Sequence, residues 1–285
     1  DGCADTQLPY NNSGNLTGGD QSPLLEVGYI ACGGSTIPLT VNTTLNRNLS
    51  ATGICFNVTS NNVELNCAGY YIIGNGSGAG IDARSISGLN INHCTIRNFT
   101  DGIYTDSVTL ATIRDNIFSN NSLSGIKENT QGANWTIFNN SFTNNVIGIN
   151  TLLVNSTIYN NTLLNNSVCG SLTTTSNSTL SGNNCSGSST GFVFQESSHN
   201  TIFDNIIINN SIGINFTSNV NQTFVYNNFF NNTINVVDNS TLNFYNTTYL
   251  CNIVNYTNIA GGNCTGGNFW SDYAGLDNGN GTGAY

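Results

Sequence analysis

Two markers keep step along this chain, and together they restrict its fold more than its composition does. A Gly followed by an apolar or small residue recurs at Gly80, Gly102, Gly125, Gly148, Gly170, Gly191 and Gly213, and one more step of the same size lands on Asn235. In parallel, Thr-Ile, Thr-Leu or Thr-Phe begins at Thr112, Thr136, Thr157, Thr179, Thr201 and Thr223, and four residues later come Asn116, Asn140, Asn161, Asn183, Asn205 and Asn227. The common period is about 22 residues, which is the range of solenoids and arrays and too short for a propeller blade of about 40. One unit, Ser198 to Ser218, holds three short apolar runs: Thr201-Ile202-Phe203, Ile206-Ile207-Ile208 and Ile212 to Phe216. Each is too short for a helix and rich in β-branched or aromatic residues, so each reads as a strand. Asn-Asn and Asp-Asn pairs separate the runs, and Asn tolerates the left-handed backbone of a sharp corner.

The expected fold is therefore all-β: a single right-handed parallel β-helix of about eight to nine coils. In such a coil every strand pairs with its equivalent one coil away, at about 4.8 Å, so like residues stack on like. The series Asn116, Asn140, Asn161, Asn183, Asn205 and Asn227 is expected to form a structural ladder of buried side-chain amides, each paired with its neighbours. Four segments follow: 1–28 an extended N-terminal arm, 29–60 an N-terminal cap with the first strands, 61–241 the coils, and 242–285 an irregular C-terminal closure.

Only 7% of the 285 residues are charged and the formal net charge is -10, against an average charged fraction near 25%. The five cations, Arg47, Arg84, Arg97, Arg114 and Lys127, make no basic stripe, so a nucleic-acid partner is not expected. No apolar run reaches the length of a membrane span. The chain begins at Asp1 and contains no Met, and it reads as a mature secreted product.

Nine cysteines point to an oxidising compartment, and an odd count leaves one free or intermolecular. Sequence does not fix the pairing; the preferred partners are Cys32–Cys55, Cys67–Cys94, Cys169–Cys185 and Cys251–Cys264, with Cys3 over. Cys94 falls at the ladder position one coil before Asn116, and Cys67 lies about one coil earlier. Asn-x-Ser/Thr acceptors recur throughout. Those favoured for N-glycans are Asn15, Asn57, Asn98, Asn120, Asn134, Asn165, Asn209, Asn215, Asn231, Asn246 and Asn263, with Asn120, Asn165, Asn209 and Asn231 heading Asn-Asn-Ser/Thr corners that face solvent.

The 22-residue coils, the entry from Cys32 to Cys55 followed by Asn62-Val63-Glu64-Leu65, and the tail Gly266-Gly267-Asn268-Phe269-Trp270-Ser271-Asp272-Tyr273 resemble secreted archaeal proteins with right-handed parallel β-helix repeats, many of them labelled NosD-like after a periplasmic copper-related protein. The resemblance implies an extracellular or cell-surface location. It implies no single activity, because the fold hosts many. The copper label is poorly matched by a chain with no Met and two His, since soft copper sites want Met, Cys or clustered His.

Hydrolases on this fold need paired carboxylates. The acids of the coils include Asp82, Asp101, Asp106, Asp115, Glu128, Glu196, Asp204 and Asp238, and they form no dense cluster in sequence; Arg84, Arg97 and Arg114 are the local bases a lyase would need. Neither catalytic nor metal-ligating residues are assigned. The tail Asp277-Asn278-Gly279-Asn280-Gly281 faintly resembles an oxygen-rich Ca²⁺ loop. His93 and His199 lie about five coils apart, while Trp135 and Trp270 are candidates for sugar stacking, Trp270 also for a cap on the last coil. The expectation is a non-enzymatic, glycosylated structural subunit of a sheath, surface layer or filament, with itself as partner, the arm and Cys3 as joint, and cell-surface glycans as possible ligands. The alternatives are a carbohydrate-binding or carbohydrate-cleaving β-helix, and a metal-handling NosD-like protein.

Overall fold

The structure is a computed structural model that describes residues 32, 36–240, 242–245, 261–264 and 266–271. Three parallel faces run its length. The first has ten strands, from Ile37–Leu39 through Ala79–Arg84, Asp101–Asp106, Ser124–Glu128 and Val168–Thr173 to Ile234–Asp238. The second has nine, from Thr43–Thr44 to Phe224–Tyr226, and the third has ten, from Leu49–Ser50 to Phe229–Asn231 and then Phe269–Trp270. Every strand pairs with its equivalent in the adjacent coil, so this is a β-solenoid of about nine turns. The first described coil begins at Ile37, inside the segment read as a cap.

Short triplets suit the second and third faces because one inward residue suffices for each. Thr136-Ile137-Phe138 buries Ile137 and turns Thr136 and Phe138 outward, and the same pattern holds for Thr157–Tyr159, Thr179–Ser181 and Thr201–Phe203. The interior is a continuous column of Ile, Leu, Val and Phe, with Trp135 also buried and its Nε1 donating to Val108 O at 2.8 Å. Corners after the second face carry left-handed residues in every coil from His93 through Asp115, Asn139, Asn160, Gly182 and Asp204 to Asn227, the conformation Asn, Asp and Gly tolerate best.

The buried Asn ladder starts at Cys94, whose N–H donates to Asn116 Oδ1 at 2.9 Å. It climbs through Asn140, Asn161, Asn183 and Asn205, each amide Nδ2 donating to the next Oδ1 at 3.0 Å. Its last rungs differ from expectation. Asn205 donates to Asn228 at 2.9 Å, not to Asn227, and Asn228 donates in turn to Asn268. The reason is an added residue: Thr201 pairs with Phe224, so Thr223 stands outside the Thr column as a buried residue. Asn227 shifts to the corner, with φ 54°. A second ladder, Asn121–Asn145–Asn166, joins the third face to the first.

The Gly column holds from Gly80 to Gly148 and fails at Gly170. Ile147 pairs with Val168 and Ile149 with Gly170, so Cys169 takes the column position and Gly170 the neighbouring one; Gly191, Gly213 and Asn235 then resume the column. At this position the Cβ direction points into the core. A Cβ on Gly125 would sit 2.5 Å from Phe142 Cδ1, and one on Gly148 would sit 2.9 Å from Leu163 Cδ2. Cys169 is accommodated because the third face presents Cys185 there, and the two are bonded. Gly170, standing in the apolar column next to it, leaves room for the Phe192 ring of the following coil.

Candidate functional site

The acids named from sequence are scattered by the fold, with one gathering on the outer side of the first face. There Tyr104 pairs with Asp82 below and Lys127 above, while Asp106 pairs with Arg84. Arg84 donates from Nε and Nη2 to the two oxygens of the buried Asp82 at 2.8 and 2.9 Å and lies 4.9 Å over the Tyr104 ring. The hydrogen bond and charge of Asp82 raise the Arg84 pKa further above its usual value. Asp106 accepts from Thr130 Oγ1 at 2.6 Å and from Ser107 Oγ. Burial pushes the Tyr104 hydroxyl up, so it is not primed as a base. Both carboxylates are thus satisfied within the protein. Asp101 is buried and accepts from Ser124 N; burial raises it.

Elsewhere Asp115 pairs with the adjacent Arg114 at 2.9 Å, Arg97 lies 5.1 Å over Tyr71, and Glu196 and Asp204 occupy left-handed corners, one after the first face and one after the second. Burial pushes Asp238 up, but hydrogen bonds from Tyr245, Ser240 and Asn243 hold it below its usual value. Glu128 points into the core between Thr105 and Thr151; burial raises it to about 7, and its Oε2 has no hydrogen-bond partner.

No group of three His, Cys, Asp or Glu able to hold a metal exists among the described residues. His93 Nδ1 donates to Asn92 Oδ1 at 2.8 Å on one corner, and His199 lies on another corner near the far end. Cys32–Cys55, Cys67–Cys94 and Cys169–Cys185 are disulfides, which removes six thiols from any soft-metal site, and Cys264 is also disulfide-bonded. This donor set does not fit copper. Cys3, Cys251 and the Asp277 to Gly281 tail lie outside the described residues, as do the arm, Asn15 and Asn246.

The surface feature that sequence reasoning missed is on the second face. Its outward third position runs Arg114, Phe138, Tyr159, Ser181, Phe203, Tyr226 in successive coils. Phe138 and Tyr159 stack with centroids 4.9 Å apart and planes 2° from parallel; Phe203 and Tyr226 do the same at 5.4 Å and 6°. All four rings are half-buried. The signal was present two residues after each Thr marker, in the triplets Thr-Ile-Phe, Thr-Ile-Tyr, Thr-Leu-Ser and Thr-Ile-Phe. Between the two stacks the coil of Ser181 supplies no ring, and its corner residue, Gly182, has no side chain. Asn160 leans over that corner: a Cβ on Gly182 would sit 2.4 Å from Asn160 Oδ1. Trp270, by contrast, stacks on Phe230 at 4.7 Å and caps the third face.

The acceptor Asn residues fall mainly on the corner between the third and first faces. Asn120, Asn165, Asn209 and Asn231 are exposed there, the last at the end of the strand Phe229–Asn231, and Asn98 is half-buried. Two shallow clefts follow this corner, one lined by Asn209, Ser211, Asn231 and Thr233, the other by Asn120, Asn144 and Asn165. Asn57, Asn134 and Asn263 are exposed, and Asn215 is half-buried on the first face.

Two family models match adjoining parts of the chain: "Right handed beta helix region" over residues 27–153 and "Periplasmic copper-binding protein (NosD)" over residues 148–275. No curated protein matches it. Among solved structures, the tailspike protein of E. coli bacteriophage HK620 in complex with pentasaccharide has 10% identity and a TM-score of 0.49, covering 83% of this chain and 60% of its own. The Dettilon tailspike protein has 14% identity and a TM-score of 0.43, covering 67% and 56%. The A-module of Azotobacter vinelandii mannuronan C-5 epimerase AlgE6 has 11% identity and a TM-score of 0.39, covering 73% and 78%. The chain thus spans under two thirds of the tailspikes' length, and these likenesses concern the fold alone.

Proposed function

We propose that this right-handed β-helix repeat protein is an exported carbohydrate-binding protein whose second face is the binding surface. The observation that carries the reading is the pair of parallel aromatic stacks, Phe138–Tyr159 and Phe203–Tyr226, set in a surface of Thr, Ser and Asn with few charges. Aromatic ring faces bury the C–H side of a sugar, and flanking amides and hydroxyls bond its edge; such amphipathic rings carry much of the contact energy in recognition surfaces. Export is supported by the disulfides, which persist in oxidising compartments.

No catalytic step is assigned, because Asp82 is closed by Arg84 and Asp106 by Thr130 and Ser107. The subunit role expected from sequence drew on low charge, the lack of a catalytic cluster and a joint at residues 1–28 and Cys3; that joint lies outside the described residues, whereas the aromatic face lies in the solenoid itself, so binding is the function put forward. Affinity electrophoresis against a panel of soluble polysaccharides tests it. At least one should retard the wild-type protein, and Tyr159→Ala with Phe203→Ala should abolish the retardation. Unretarded migration of the wild type through every polysaccharide would refute the reading.

A further inference from the structure

We infer that the coil of Ser181 is a one-ring slot that takes a single all-equatorial pyranose, sandwiched between the faces of Tyr159 and Phe203. The inference rests on the second face being a carbohydrate surface and adds the site and the sugar class.

The geometry follows from register. Tyr159, Ser181 and Phe203 occupy the same position in three successive coils. Tyr159 and Phe203 are therefore two strand spacings apart, about 9.6 Å. Tyr159 is parallel to Phe138, and Phe203 to Tyr226. Each stack runs along the solenoid axis, so the remaining face of Tyr159 and the remaining face of Phe203 look toward each other across Ser181. Within the stacks, neighbouring rings stand 4.9 and 5.4 Å apart. One ring placed midway would lie about 4.8 Å from each flanking ring, inside the range at which ring systems stack. The slot is the missing rung of a five-ring column.

Its lining favours a sugar over a purely apolar ring. The floor is Ser181, with Thr179 beside it, both half-buried and turned outward. On the corner side Gly182 adds no side chain of its own; Asn160 Oδ1 of the preceding coil leans over it, and Asp204 stands at the same corner of the following coil. Hydroxyl, amide and carboxylate groups thus rim the edge while the walls are aromatic, which is the polarity of a pyranose: C–H above and below, hydroxyls around the circumference.

Two aromatic walls also select stereochemistry. A pyranose with every hydroxyl equatorial, as in the gluco and xylo configurations, offers C–H groups to both walls. A manno or galacto sugar turns one axial hydroxyl onto a ring face, where it loses water and gains no acceptor. An orphaned hydroxyl costs about 1–3 kcal/mol, which corresponds to roughly 5- to 150-fold in affinity. The sugar plane lies across the solenoid axis, so a bound chain leaves the slot sideways, in the plane of the ring.

The experiment is calorimetric titration of the wild-type chain and Ser181→Phe with cellotetraose, mannotetraose and β-1,4-galactotetraose. The wild type should bind the gluco tetramer at least tenfold more tightly than the other two. Ser181→Phe supplies the missing rung; it should weaken binding of the gluco tetramer at least tenfold and should not lower the melting temperature. Tyr159→Ala, which removes one wall without filling the slot, should weaken it as well. If Ser181→Phe is folded and binds like the wild type, the slot is wrong while the carbohydrate reading survives. Equal binding of the three tetramers overturns the sandwich. A wild type that binds none of these tetramers overturns the slot, and if it also passes unretarded through the polysaccharide panel the carbohydrate reading falls with it.

Discussion

Cys169 is bonded to Cys185 at the place where, two coils earlier, Gly125 faces the ring of Phe142. The two pairs fill one position by different means: no side chain against a large one, or two short side chains joined. Exchange between them is testable. Cys185→Phe alone removes a bridge closing a 16-residue separation, worth about 3 kcal/mol by loop entropy, and overpacks Cys169 by a further 1–3 kcal/mol or so. Adding Cys169→Gly recreates the Gly–Phe pair and should recover about 1–3 kcal/mol of the loss in urea denaturation. A double variant no more stable than the single one would show that the two arrangements are not equivalent.

The Asn ladder should be far less tolerant than the corner beside it. Asn161 accepts from Asn140 N and Nδ2, and donates to Asn183 Oδ1, Ile137 O and Tyr159 O, all buried or part-buried. Asn161→Ala strands several of these groups, at about 1–3 kcal/mol each, so a loss of about 3 kcal/mol or more is expected. Asn160, exposed and at φ 53°, should accept Gly with a change of about 0.5 kcal/mol. Chemical denaturation of the two single variants compares them directly.

Glu128 sets a pH dependence of stability. Its carboxyl is raised from 4.5 to about 7 by burial. A raised carboxyl holds its proton in the folded state after the unfolded chain has lost it. Its contribution is therefore intact below pH 4.5, declines as pH rises from 4.5 to about 7, and stays lost above that. The decline amounts to about 3 kcal/mol from the size of the shift. Glu128→Gln should flatten melting temperature against pH over this interval and be more stable than wild type at pH 8. An unchanged profile would place the proton elsewhere.

We propose N-glycans on the corner between the third and first faces, at Asn120, Asn165 and Asn209, where the acceptor and its hydroxyl partner, Ser122, Ser167 or Ser211, are both exposed. Asn231 pairs across the coils with Ile208, the residue before Asn209, so the two acceptors crowd each other and one molecule should carry sugar on one or the other. Peptide mass mapping of the protein from its native source reads both statements; unmodified peptides at all three sites would refute the first.

Much of this was legible in the sequence because a solenoid repeats its own evidence. Asn116, Asn140, Asn161, Asn183 and Asn205 could be aligned by counting, and their common burial followed from their common place. Counting fails where a coil gains or loses one residue. The extra residue before Phe224 moved the last rung from Asn227 to Asn228, and the shortened path to Val168 put Cys169 where Gly170 was expected. Local sequence cannot show which corner absorbs such a change, because Asn serves equally as a left-handed corner and as a ladder rung. The outward aromatic column was written in the Thr-Ile-Phe triplets, but it has meaning only once outward positions are known to lie above one another. Glu128 could not be recognised as buried from its neighbours, since Ser124–Glu128 ends on two successive charged residues and only the register shows which of them turns inward.

The ladder's final rung comes from far along the chain. Asn228 is followed in sequence by the strand Phe229–Asn231, yet the amide that accepts its side chain is Asn268, 40 residues on, and Phe269–Trp270 then closes the third face. Every earlier rung is supplied within 21 to 24 residues. The loop-closure cost of the last step is correspondingly larger, and it is met only after the preceding coil exists to receive it. Winding of the solenoid and sealing of its end are thus separable in time: the coils can propagate by neighbour-to-neighbour addition, and the seal arrives afterwards as a single docking event. Amide protons of Phe230 and its neighbours should then exchange with solvent sooner than those around Asn161, as the end unlatches without the stack unwinding.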